Sequence, residues 1–164
     1  MTRERSFTWS DPHETAAASR TMAGLDLMRA LHDGSVPPPP VIDLVGISVT
    51  EVDEGRVVMS LTPAEYHYNP IGTMHGGILA TLLDSVMGCA VHTTLPKGRG
   101  YTSLEIKVNY VRAVTNASGE LSAEGKIVHA GNRSAVAEAR VVDAKGRLCA
   151  TASTTCLVFD LPPA

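Results

Sequence analysis

The sequence has few of the features that mark a nucleic-acid-binding, secreted or membrane-spanning protein. Its formal charge is −3, and it lacks the basic stripe typical of nucleic-acid binding. The three cysteines, Cys89, Cys149 and Cys156, are an odd number with no close pair, which argues against a disulfide framework or a zinc site. No signal peptide is evident, and no apolar run is long enough to cross a bilayer. We therefore expect a cytoplasmic protein with no metal, no nucleic-acid partner and no membrane.

Proline is concentrated in one place, and it separates an N-terminal segment from the rest of the chain. The spacing of apolar side chains predicts a helix across residues 12–32, on which Leu25, Met28 and Leu31 share a face. The prolines at 37–40 force an extended tether, because proline fits neither a helix interior nor a central strand. A stiff tether of this kind holds the first helix at a fixed place on the body, where it packs or closes a pocket.

Strand patterns fill most of the remaining chain, apart from one apolar helix in the middle. A hairpin is expected between residues 41 and 61, and four strands in a meander after residue 99. The first of these four alternates, with Leu104, Ile106, Val108 and Tyr110 on one face and Ser103, Glu105, Lys107 and Asn109 on the other. We expect an α+β fold in which five or six antiparallel strands curl round the helix. The extension then spans residues 1–35 and a single domain spans residues 36–160.

The central stretch, residues 69–90, begins as a loop and ends as the apolar helix. Residues from 78 onward are apolar on nearly every side, as expected of a helix wrapped by other elements. Asp84 interrupts that run, and a buried carboxylate is costly without a partner. Gly76 and Gly77 open the helix and leave its first N–H groups available to bind an oxygen atom.

The spacing of these residues argues against an active site within one chain. Eight residues of helix separate Gly76 from Asp84 by about 12 Å along the axis. Oxyanion donors and a nucleophile or base must both reach one carbonyl group, within about 3 Å. Two antiparallel copies of the helix satisfy this requirement, each giving its N-terminus to the other's Asp84. The alternative from spacing alone is a core helix whose Asp84 bonds a backbone group or a water.

One motif carries a resemblance to a known family. Residues Asn69-Pro70-x-Gly72-x-x-His75-Gly76-Gly77, with Asp84 nine residues after the histidine, resemble the hotdog-fold acyl-CoA thioesterases of the PaaI-like branch. The resemblance covers most of residues 36–158. It implies a sheet wrapped round a central helix, dimers that often pair into tetramers, and hydrolysis of an acyl-CoA to a free acid and coenzyme A. It implies no cofactor beyond the coenzyme A of the substrate.

The resemblance also assigns a role to individual residues. Asp84 becomes the catalytic nucleophile or the base for a water, and Gly76 or Gly77 of the neighbouring subunit becomes the oxyanion donor. Asn69 matches a residue that orients the carboxylate or the water, and His75 one that positions the thioester. Ser103 matches a hydroxyl that holds the attacking water, and Thr102 is its neighbour under a one-residue slip in alignment.

Two departures from the family pattern concern substrate binding. The strand turn has Gly131-Asn132-Arg133 where many relatives have two basic residues, which leaves Arg133 alone to contact a CoA phosphate. Gly88 stands one turn after Asp84, where some thioesterases of the fold carry a hydroxyl. Ala80, Leu83 and Met87 suggest an apolar pocket for a medium-chain or aromatic acyl group.

Two other functions fit the same fold. A hydratase or dehydratase for acyl thioesters moves a proton at carbon, usually with a histidine paired to a carboxylate. A non-catalytic module that binds acyl-CoA or an aromatic ligand needs the pocket but not Asp84. The set of Asn69, Gly76, Asp84 and Ser103 favours the thioesterase.

Overall fold

The structure is a computed structural model, and it describes residues 2–162. The helices are α1 (Pro12–Thr21), α2 (Gly24–Asp33), α3 (Pro40–Val45) and α4 (Gly76–His92). The strands are β1 (Ile47–Asp53), β2 (Arg56–Leu61), β3 (Arg99–Tyr110), β4 (Leu121–Ala130), β5 (Ser134–Val142) and β6 (Leu148–Asp160). Two short 3-10 helices, Glu65–His67 and Asn116–Ser118, lie in the connections.

One six-stranded antiparallel sheet curls round α4, as the sequence predicted. The strand order is β1-β2-β4-β5-β6-β3, so β4, β5 and β6 form a meander. The prediction that β3 belongs to the same meander is wrong, because β3 pairs with β6 at the far edge of the sheet. Helix α4 packs against β2 to β6, and α2 packs against β1 and α4. The curled sheet thus leaves a strip of α4 open between its two edges.

The core lies between α4 and the concave face of the sheet. Its fully buried side chains include Leu82, Leu83, Val86 and Met87 from the helix. Alanines and valines of β4 and β5 fill the facing layer, and these small side chains let the sheet approach the helix closely. No helix among residues 2–162 is long and apolar enough to span a bilayer.

The predicted N-terminal helix is two helices, with a break at Met22 and Ala23. Helix α2 begins at Gly24, whose N–H donates to the Leu95 carbonyl at 2.9 Å just after α4. A Cβ at residue 24 would lie 1.8 Å from the carbonyl oxygen of His92. Only glycine permits this approach, so the residue that weakens the helical pattern is the one that docks α2 on the end of α4.

The predicted alternation of β3 is wrong at one point. Ser103 pairs with Cys156 and Glu105 pairs with Thr155, so Leu104 is an extra residue in a β-bulge. The bulge changes the phase of the strand, and Ser103 therefore lies on the same face as Ile106, which is the face toward α4. A strict period of two places Ser103 on the opposite face.

Candidate active site

Asp84 and Ser103 form the centre of the open side of α4. The Ser103 hydroxyl donates to Asp84 Oδ1 at 2.8 Å. Asp84 is half-buried in the single chain, so the expectation of a fully enclosed carboxylate is not met here. Because the bulge turns Ser103 toward α4, the serine fixes one carboxylate oxygen and leaves Oδ2 without a partner among residues 2–162.

Tyr101 explains why a glycine follows one turn after Asp84. A Cβ on Gly88 would lie 2.5 Å from the Tyr101 hydroxyl oxygen, so the phenol occupies the space of a side chain. Burial raises the pKa of Tyr101, and the nearby Cys89, Cys156 and Asp84 raise it further. The neutral phenol thus forms part of the wall beside Asp84. The sequence analysis did not identify Tyr101, although Gly88 on a buried helix is a signal of close approach.

The N-terminus of α4 presents a single free N–H group. The His75 ring caps the helix, with Nδ1 accepting from the Gly77 N–H at 2.9 Å. The Gly76 N–H is the first of the helix and meets no acceptor within the described part of the chain. Of the two glycines considered from the sequence, Gly76 therefore has the available donor. Tyr110, which the sequence analysis also did not assign to the site, covers this turn by donating to the Gly76 carbonyl at 2.8 Å.

Asn69 shapes the loop that leads to this helix start. Its Oδ1 accepts from the Ile71 N–H at 3.0 Å and the Thr73 N–H at 3.2 Å, and its Nδ2 donates to the Thr73 hydroxyl. These bonds form a side-chain turn of the kind asparagine favours. In the single chain the amide therefore holds its own loop. A cavity of about 380 Å³ lies beside it, lined by Gly76, Tyr110 and other residues near the end of β3.

The hairpin turn with Gly131, Asn132 and Arg133 lies at the same end of the sheet as Asp84. Ser134, which follows the turn, shares a row with Leu157 and Thr102 across three strands, a distance of about 10 Å. Arg133 and Asn132 are exposed, and the Asn132 carbonyl accepts from the Arg99 side chain. Thr102 points away from α4, because it precedes the inward-facing Ser103.

Met87 and Cys89 differ from what the sequence suggested. Met87 is completely buried between α4 and the sheet, so it packs the core and belongs to neither the cavity beside Asn69 nor the one beside the N-terminal segment. Cys89 is half-buried and lines a cavity between α4 and the N-terminal segment, so it is less enclosed than the apolar pattern of the helix predicts. Among residues 2–162 no cluster of three His, Cys, Asp or Glu side chains is placed to hold a metal ion.

The curled sheet round an apolar helix, with an acid on that helix, defines a hotdog fold. Residues 71–150 match the model of the thioesterase superfamily. The chain is 30% identical over 135 residues to the 1,4-dihydroxy-2-naphthoyl-CoA hydrolase of Escherichia coli K12, covering 82% of this chain and 94% of the relative. The chain belongs to the thioesterase superfamily, and it is a thioester hydrolase.

Solved structures agree with this fold. The E. coli PaaI protein of the phenylacetic acid degradation operon superposes with a TM-score of 0.72 at 18% identity, covering 94% of this chain and all (100%) of that one. A Streptococcus mutans protein solved with acetyl-CoA superposes with a TM-score of 0.64 at 24% identity, covering 70% and 90%. At these identities the likeness concerns the fold alone.

Proposed function

We propose that the protein hydrolyses an acyl-CoA to a free acid and coenzyme A, with Asp84 as nucleophile or as base for a water. The observation that carries the proposal is the Ser103–Asp84 hydrogen bond at 2.8 Å on the open side of α4. It orients the carboxylate and leaves Oδ2 without a partner among residues 2–162. A positioned carboxylate with one free oxygen is what either route requires.

The oxyanion donor is the Gly76 N–H of a second copy of the chain. Within one chain Gly76 and Asp84 are eight residues apart on a continuous helix, about 12 Å along its axis. One carbonyl group of a substrate therefore cannot contact both Gly76 and Asp84 of the same chain. The helix dipole adds to the donor strength of the Gly76 N–H, and the cap formed by His75 keeps the first turn in place.

Strand β3 is the surface through which we expect the second copy to bind. It has twelve residues, its outer edge is unpaired, and Leu104 and Ile106 are exposed upon it. A long apolar edge of this kind is a ready template for another strand. Antiparallel pairing of two β3 strands places the Ser103 end of one against the Tyr110 end of the other. That arrangement brings Asp84 of one chain toward Gly76 of its partner. Such dimers would be able to pair further into tetramers.

Coenzyme A is the thiol carrier that the comparisons support, since the E. coli relative is named for a CoA thioester. Arg133 on the exposed hairpin turn is the cation placed to contact a CoA phosphate. We propose that Asn132 and Gly131 supply backbone contacts beside it. Water and Asp84 are sufficient for the hydrolysis, so the reaction uses no further cofactor. Free thiols at Cys89, Cys149 and Cys156 fit a cytoplasmic location.

The geometry favours hydrolysis over the hydratase reaction. Hydratase chemistry needs a histidine paired with a carboxylate. Here the His75 Nδ1 accepts from the Gly77 N–H and the Asp84 carboxylate accepts from the Ser103 hydroxyl, so both groups that a hydratase would pair already have other partners.

A thiol-release assay tests the proposal. The purified protein is assayed with acetyl-, octanoyl-, palmitoyl-, benzoyl- and phenylacetyl-CoA, alongside Asp84→Asn and the matched surface variant Asp26→Asn. We expect Asp84→Asn to lose about 10³-fold in kcat while still binding coenzyme A, because it keeps the shape of the site but loses its base. Equal turnover by the two asparagine variants would refute the role of Asp84.

A further inference from the structure

A second cavity, of about 310 Å³, lies on the other side of α4 from Ser103. It is enclosed by α2, the proline run, α3, β1 and β2, with Cys89 as its contribution from α4. Six of the side chains that line it are aliphatic or methionine, and three are polar, namely His32, Asp43 and Ser48; the six are Met28, Leu31, Ile42, Ile47, Val49 and Met59. Phe, Tyr and Trp are absent from the lining formed by the described residues.

The outer wall of this cavity is the N-terminal segment, and it is fixed at several points. Gly24 docks α2 on the end of α4 through the Leu95 carbonyl. The Thr15 hydroxyl donates to the Pro37 carbonyl at 2.8 Å, which ties α1 to the proline run. The wall therefore keeps its position relative to α4 without depending on a ligand.

Arg5 fixes the α3 part of the wall. Its guanidinium donates to the Leu44 carbonyl at 2.7 Å and the Asp43 carbonyl at 3.2 Å, at the C-terminal end of α3. It also stacks 4.1 Å from the centre of the Tyr66 ring. A cation at a helix C-terminus stabilises the helix, so these contacts hold α3 over the cavity.

The cavity reaches α4 at Cys89, on the same helix as Asp84. Cys89 lies five residues after Asp84, about 7.5 Å along the helix axis. Burial raises the pKa of the Cys89 thiol to about 12, and the charge of Asp84 contributes to the rise. Cys89 is therefore a small, uncharged part of the lining, five residues beyond Asp84 on α4, and it offers no charge that would repel an apolar chain.

We propose that this cavity binds the acyl chain of the substrate, that the chain is an unbranched aliphatic one of about ten carbons, and that the N-terminal segment limits its length. The proposal rests on the proposed function for the thioester end. At about 30 Å³ for each group of the size of a water molecule, 310 Å³ holds on the order of ten carbons. Methionine and aliphatic side chains adapt to a flexible chain, whereas no Phe, Tyr or Trp ring lines the cavity to stack on an aryl group.

The test compares a variant that fills the cavity with a matched one that does not. Leu31 of α2 lines the cavity and Arg29 of the same helix is exposed, so Leu31→Trp and Arg29→Trp add the same ring in two places. Acyl-CoAs from two to sixteen carbons, with phenylacetyl- and benzoyl-CoA, supply the kcat/KM profile. Calorimetry with free carboxylic acids of the same lengths measures binding without turnover. Ile42→Trp on α3 repeats the test if Leu31→Trp does not fold.

For the wild type we expect kcat/KM to rise about fourfold per methylene and to reach its maximum near ten carbons. Leu31→Trp moves the maximum to shorter chains by about two carbons, at about 30 Å³ per carbon, and Arg29→Trp leaves it in place. A profile that Leu31→Trp does not shift, or a preference for the aryl thioesters, overturns the proposal. If no acyl-CoA is hydrolysed, the proposed function fails. The calorimetry then still tests whether the cavity binds acyl chains. Binding that depends on chain length and is lost in Leu31→Trp supports the cavity, and the absence of such binding overturns it.

Discussion

The two sides of α4 are built in opposite ways. On the β3 side the helix is open and polar, with Asp84 bonded to Ser103 beside an unpaired strand edge. On the β1 side it is covered by the chain's own N-terminal segment, which encloses an apolar cavity. The chain itself covers the β1 side of α4, and we propose that a second copy of the chain covers the β3 side. Under this proposal the reactive groups lie on the side where the partner supplies the oxyanion donor. The apolar acyl chain then binds on the side that a single chain encloses.

The largest loss of activity is expected from removing the Gly76 N–H on the open side of α4. Gly76→Pro deletes the N–H of the first helical residue, where proline is tolerated because that N–H has no intrahelical partner. Gly76→Ala keeps the N–H and places its Cβ at the same distance, 3.1 Å, from the Tyr110 ring. We expect kcat to fall by about 10²–10³ in the proline variant and far less in the alanine variant. Steady-state kinetics on the best acyl-CoA makes the comparison, and equal losses would remove Gly76 from the oxyanion site.

A somewhat smaller effect is expected from charging the open edge. Leu104 is 62% exposed on β3 and Leu44 is 48% exposed on α3. The same substitution at the two leucines therefore compares the open side of α4 with the covered side. Leu104→Lys places a charge on the apolar strand edge that the second copy covers, and we expect the dimer Kd to rise by about 100-fold because burying a charge without a partner is costly. Sedimentation velocity of both variants measures this. A Leu104→Lys protein that stays as dimeric as Leu44→Lys would place the interface elsewhere.

The hydroxyl on β3 gives an effect of intermediate size. Ser103→Ala removes the donor to Asp84, and hydrogen bonds to charged groups are worth about 1.5–3 kcal/mol, so we expect kcat to fall by at least about tenfold. Thr102→Ala changes the neighbouring side chain, which points away from α4, and we expect it to leave kcat within about twofold. Kinetics showing the reverse order would mean that the bulge at Leu104 is misplaced.

The smallest effect concerns the covered side and its response to pH. His67 Nε2 bonds the Val45 carbonyl at 2.9 Å at the end of α3, and its Nδ1 accepts from the Ala64 N–H. Burial lowers the pKa of His67 below 6.5, and the charge of Arg5 adds to this. The unfolded chain therefore takes up the proton first, so stability is full above about pH 6.5 and is lost as the pH falls below it.

We expect Tm to fall between pH 7 and pH 5, where the unfolded chain binds the proton more tightly than the folded chain does. His92, whose pKa is also lowered by burial, contributes in the same direction. In His67→Asn we expect a smaller slope of Tm against pH, because only one of the two histidines whose pKa is lowered by burial remains. An unchanged slope in differential scanning calorimetry would contradict the assignment to His67.

The elements with strong local patterns were predictable. The buried helix, the hairpin of β1 and β2, and the meander of β4 to β6 follow from periodicity and turn residues. The position of β3 beside β6 was not predictable, because the pairing of strands far apart in the chain leaves no local pattern in a single sequence. The break before Gly24 was also missed, because a contact with His92 decides it.

The site was predictable only where chemistry depends on residue type. Asp84 on an apolar helix is visible as an exception, and the distance to Gly76 follows from helical rise alone. The side of the sheet on which Ser103 lies could not be predicted from the sequence, because the bulge at Leu104 shifts the alternation of the strand by one residue. The side chains that enclose the second cavity come from five helices and strands and from the proline run, so no pattern along the chain brings them together.

The distance of about 12 Å between Gly76 and Asp84 has a genetic consequence under the proposed pairing. Each active site takes its acid from one gene copy and its oxyanion donor from the other. An allele without Asp84 and an allele without the Gly76 donor are each inactive alone. Expressed together, they form mixed dimers in which one site carries both lesions and the other carries neither. The two alleles therefore complement each other, although each encodes a dead enzyme.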